Sequence, residues 1–90
     1  MAGEQILVVE DNELNMKLFR DVLVATGYRT LEATSGAEAV ELASANVPDL
    51  VLMDIQLPDF DGVQALHRLR ADDRTAAIPV LAVTAQAMQG

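Results

Sequence analysis

Ile6-Leu7-Val8-Val9-Glu10-Asp11 and Leu50-Val51-Leu52-Met53-Asp54 share one plan: a short apolar run that stops on acid. Each run has the length of a strand buried on both faces. Such strands belong to parallel sheets covered by helices on either side. In those sheets the carboxyl ends of neighbouring strands open onto one crevice, where ligands bind. The plan therefore brings Glu10, Asp11 and Asp54 into one small space. Crowded like charges repel, so a site built this way calls for a cation, and hard oxygen ligands suit Mg²⁺.

On the C-terminal side of each run, helical and strand patterns alternate. After the first strand, Ile6–Val9, Asn12 fits an N-cap with Glu13 in the first turn. Leu14, Leu18, Val22 and Ala25 follow at helical spacing, and Gly27 fits a left-handed C-terminal cap. Tyr28–Ala33 reads as a more polar strand at a sheet edge. Ser35-Gly36-Ala37-Glu38 has the form of a capping box, opening a helix with Ala39, Val40, Leu42 and Ala43 that stops near Asn46-Val47-Pro48. Leu50–Met53 is the third strand, and residues 55–61 read as a loop punctuated by Pro58. Val63, Leu66, Leu69 and the stem of Arg70 give a third helical face. Asp72–Thr75 reads as a polar connection, and Val80–Val83 as a fourth buried strand with Thr84 at its carboxyl end. The β-α-β-α-β-α-β order predicts an α/β fold: an open, doubly wound parallel sheet.

Composition narrows the function. The chain has 90 residues, enough for one domain, and 51% of them are hydrophobic. Aromatics make up only 3%, so aliphatic side chains fill the core. A net charge of −8 argues against nucleic acid or an anionic membrane as partner and suits a metal cation or a basic protein surface. The absence of cysteine excludes disulfides and zinc-thiolate sites and accords with a reducing cytoplasm. No secretory leader pattern or membrane-length apolar run is present, so a cytoplasmic location is expected. With His67 as the sole histidine, mid-helix beside Arg68 and Arg70, imidazole chemistry has little to stand on.

An aspartate ending a strand can take a phosphoryl group as an acyl phosphate, and Mg²⁺ neutralises the charge that develops. The ordinary alternative for each residue is a cap: Asp54 on the turn that follows, Glu10 and Asp11 on the first helix dipole, Thr84 as a helix N-cap. Their coincidence at the ends of three strands favours the phosphoacceptor.

Val8-Val9-Glu10-Asp11-Asn12, the run Asp49–Pro58 with its Met53-Asp54 and Pro58, Asp61-Gly62, and Ile78–Ala85 with Thr84 resemble the receiver domain of bacterial two-component response regulators. The Asn12–Asn15 stretch is most similar to single-domain receivers of cell-cycle and polarity regulation and to receivers of hybrid histidine kinases. The resemblance implies a flavodoxin-like sheet of strand order 2-1-3-4. It implies that Asp54 accepts a phosphoryl group from the phosphohistidine of a histidine kinase or histidine phosphotransferase. Glu10, Asp11, Asp54 and the backbone carbonyl of Gln56 would hold Mg²⁺. Thr84 would act as the switch hydroxyl, coupling phosphorylation to a downstream protein target, with small Ala85 leaving access. Such a domain signals and is not an enzyme in the usual sense.

The chain departs from the family at its C-terminal side. The family's fifth strand, with its lysine, and its last helices have no counterpart in residues 1–90, and the lone lysine, Lys17, is expected to face away from the strand ends. An incomplete receiver is implied, with Val80–Val83 as an apolar sheet edge that favours self-association. Two enzymes of related plan fit less well. A haloacid-dehalogenase-type phosphatase wants an acid where Gln56 stands, and an FMN binder wants a phosphate loop where Glu10–Glu13 would repel phosphate. The remaining rival is a non-switching interaction module.

Overall fold

The computed structural model describes residues 3–54 and 62–83, with the side chains of Asp54, Gly62 and Val63 outside the description. The elements follow as β1 (Gln5–Val9), α1 (Glu13–Thr26), β2 (Arg29–Ala33), α2 (Gly36–Asn46), β3 (Leu50–Asp54), α3 (Gly62–Ala71) and β4 (Val80–Val83). The strands pair in parallel in the order β2-β1-β3-β4. This is the doubly wound, flavodoxin-like arrangement expected from the sequence.

Alternation along the strands divides the core into two layers. Leu7, Val9, Ala33, Val51 and Met53 face α2 and α3, where they meet Ala39, Ala43, Ala65 and Leu69. Small alanines there let both helices lie close on the sheet. Ile6, Val8 and Leu52 face the other way, onto Met16 and Phe19 of α1.

Helix ends obey local signals. The Asn12 side chain accepts the Asn15 N–H at 3.0 Å. Gly27 takes φ 106°, a left-handed value open to glycine, and its N–H reaches the Leu23 and Val24 carbonyls. The Ser35 hydroxyl accepts the Glu38 N–H at 3.2 Å, while Glu38 reaches back one residue further than a simple capping box, to the Thr34 N–H at 2.7 Å. α2 ends at Val47, a β-branched residue at φ 46°.

Three sequence expectations need correction. The Leu14-Leu18-Val22-Ala25 stripe does not face the core: Leu14 is 62% and Val22 51% exposed, and the inward residues are Met16 and Phe19, with Leu23 partly buried. α1 carries two apolar stripes of helical period, and the sheet takes the one with the bulkier side chains. β4 is not a buried strand, since Leu81 is 52% exposed. It lies at the sheet edge, paired to β3 alone among the described residues. The connection after α3 is not merely polar. Thr75 is fully buried, its hydroxyl donating to the Leu69 carbonyl at 2.5 Å, and Arg70 donates to the Ala76 and Ile78 carbonyls at 2.9 and 2.6 Å. Together these bonds fold the loop under α3 and aim it into β4.

Candidate functional site at the carboxyl end of the sheet

β1 delivers Glu10 and Asp11 to the carboxyl end of the sheet. The Glu10 N–H donates to the Ala33 carbonyl at 2.9 Å, extending the β1–β2 ladder by one residue. Strand alternation turns the Glu10 side chain toward the α1 layer, as with Ile6 and Val8. It is 1% exposed, and its Oε2 accepts the Asn12 N–H at 3.0 Å. Asp11, next in the chain, is exposed. A buried carboxylate beside a solvent-facing one is an oxygen-only donor pair, and it suits a hard cation such as Mg²⁺.

Asp54 ends β3, beside β1. The register sets Val9 against Met53, so Glu10 and Asp54 follow at adjoining positions of neighbouring strands. Asp54 in turn pairs with Val83 of β4, the residue before Thr84. The backbone thus gathers the carboxyl ends of β1, β3 and β4. The Asp54 side chain, Gln56, Thr84 and Ala85 lie outside the described residues. Among the described residues no three His, Cys, Asp or Glu side chains cluster closely enough to hold a metal.

A cleft of about 470 Å³ opens at this end of the sheet, lined by Glu10–Glu13, Met16, Lys17 and Arg20 on one side and by Glu32 and Thr34 on the other. Lys17 and Arg20 of α1 line the same cleft as the acids. Each cation is engaged elsewhere. Lys17 Nζ bonds Asp21 at 2.6 Å, and Arg20 Nη1 bonds Glu32 Oε2 at 2.8 Å. The hydrogen bond from Arg20 to Glu32, more than the attraction of their charges, holds the guanidinium above its ordinary value, and the bond from Lys17 holds the Asp21 carboxyl below its own. Sequence reading missed Arg20 and Glu32. The available signal was parity: Thr30, Glu32 and Thr34 alternate on one face of β2, the face toward α1.

Residues 6–90 match the response regulator receiver domain family. The chain belongs to that family. The polar-differentiation response regulator DivK of Brucella anthropi is 53% identical over 87 residues, which cover 97% of this chain and 71% of that protein. Among solved structures, the receiver domain of the sensor histidine kinase PA1611 of Pseudomonas aeruginosa superposes with a TM-score of 0.87 at 39% identity, covering 99% of this chain and 73% of that one. That structure is described with a magnesium ion coordinated in the active-site cleft. The N-terminal domain of a response regulator receiver protein from Methanoculleus marisnigri gives a TM-score of 0.83 at 42% identity, and this chain spans 65% of its length. The protein is therefore a receiver of two-component signalling, a class whose members work with histidine kinases and downstream targets. No described helix of this receiver is long and apolar enough to cross a membrane.

Proposed function

We propose that this chain is the phosphoacceptor of a two-component phosphorelay, taking a phosphoryl group onto Asp54 from the phosphohistidine of a kinase or phosphotransferase. The observation that carries the reading is the buried Glu10 carboxylate, beside Asp11, one register step from the end of β3. A carboxylate there attacks phosphorus, the phosphorus–nitrogen bond of the donor breaks, and the imidazole leaves with its electron pair. In this reading Glu10, Asp11, Asp54 and the Gln56 carbonyl hold Mg²⁺, which when bound supplies charge neutralisation at the phosphoryl oxygens. Thr84, following β4, is the switch hydroxyl. The partner downstream is a protein, the setting cytoplasmic, and the domain signals without turnover.

The test is incubation with acetyl phosphate followed by intact-mass measurement. With Mg²⁺ the chain gains the mass of one phosphoryl group, and with the metal chelated it gains none. A gain that ignores Mg²⁺ contradicts the reading.

A further inference from the structure

Arg20 and Glu32 form an ion pair that the proposed chemistry does not use. Their side chains are 41% and 37% exposed, and the bond measures 2.8 Å. Val8 and Glu32 are register neighbours, and Glu10 lies two residues beyond Val8, so both glutamates stand on the α1 side of the sheet. Arg20 lies one helical turn after Met16, and both line the cleft that holds Glu10 and Asp11. A guanidinium stays charged at every accessible pH, so only its placement can keep it from competing with a metal ion. Lys17 and Asp21 form a comparable pair, but at 60% and 56% exposure solvent weakens its hold further.

We propose that Glu32 is a positioning residue: it holds the Arg20 guanidinium away from Glu10 and Asp11, and so preserves the negative charge that attracts a divalent cation. The inference rests on the reading of those two acids as metal ligands. Without Glu32, Arg20 keeps Asp21 as its charged neighbour on the same helix and is released toward the acids that line the same cleft, from which Mg²⁺ must displace it.

Calorimetric Mg²⁺ titration of the parent chain, Glu32→Gln, Arg20→Met and the double variant tests this, with Asp11→Asn as a control. Glu32→Gln should weaken binding about fivefold, the size of one exposed ion pair. Loss of one distant negative charge would also weaken binding, so the decision lies in the coupling. Arg20→Met should strengthen binding at least about threefold more in the Glu32→Gln background than in the parent, because only there has the arginine moved onto the acids. An equal factor in both backgrounds overturns the proposal while leaving the metal site standing. If the parent binds no Mg²⁺, or Asp11→Asn binds it as the parent does, the metal-site reading fails and the proposal falls with it.

Discussion

Among the described residues, Val47 is the one whose conformation least suits its side chain. At φ 46° and ψ 66° it caps α2 in the left-handed region, and it is 49% exposed, so it gains little from packing. A β-branched residue there stores about 1–2 kcal/mol. Glycine relieves that strain and gives back part of it as unfolded-state entropy. Val47→Gly should raise the melting temperature by roughly 2–6 °C. An unchanged or lower value would show that the αL cap is not strained. Asp72 is held by its neighbour Arg74. Arg74 hydrogen-bonds its carboxylate from the side chain and the backbone, and these bonds hold the Asp72 carboxyl below its ordinary value. Its folded-state value therefore lies below the unfolded one. The stability it adds is complete above the ordinary carboxylate range and is lost as pH falls through the folded value. Thermal melts of Asp72→Asn should lose less stability than the parent between neutral and acid pH, and parallel losses would refute the linkage.

Among the elements, α1 carries the plainest lesson. Its ends were legible because caps act locally: Asn12 and Gly27 need only their own neighbours to start and stop a helix. Its orientation was not. Leu14-Leu18-Val22-Ala25 and Met16-Phe19-Leu23 both satisfy helical spacing, and only the packing of α1 on β1 and β3 chooses between them. Phe19→Ala should cost about 3–5 kcal/mol by emptying the α1 layer. Val22→Ala, on the exposed stripe, should stay within about 0.5 kcal/mol. Chemical denaturation separates the two, and equal costs would put the core on the other stripe. The burial of Thr75 was hidden for a related reason. Its hydroxyl is satisfied by a carbonyl six residues earlier, in a turn that no short-range pattern encodes.

Across the whole molecule, the parallel α/β sheet and the paired acids were readable because both follow from apolar runs that end in carboxylates, whereas the strand order came with the family resemblance. The Arg20–Glu32 contact was not, since it depends on how a helix and an edge strand align across the α1 layer. An exposed Leu81 on β4, with Leu14 and Val22 bare on α1, leaves apolar surface on this chain among the described residues. Self-association is the expected outcome, and the charge of −8 opposes it only over a short screened distance. Sedimentation equilibrium should return a mass above 9.7 kDa, and a strict monomer would show that this surface is covered. In the proposed chemistry Asp54 alone takes the phosphoryl group. Borohydride reduces an aspartyl phosphate to homoserine, which tandem mass spectrometry locates in the sequence. After treatment with acetyl phosphate and Mg²⁺, homoserine should be found at position 54 and nowhere else, and its appearance at position 11, or at any other acid, would contradict the account.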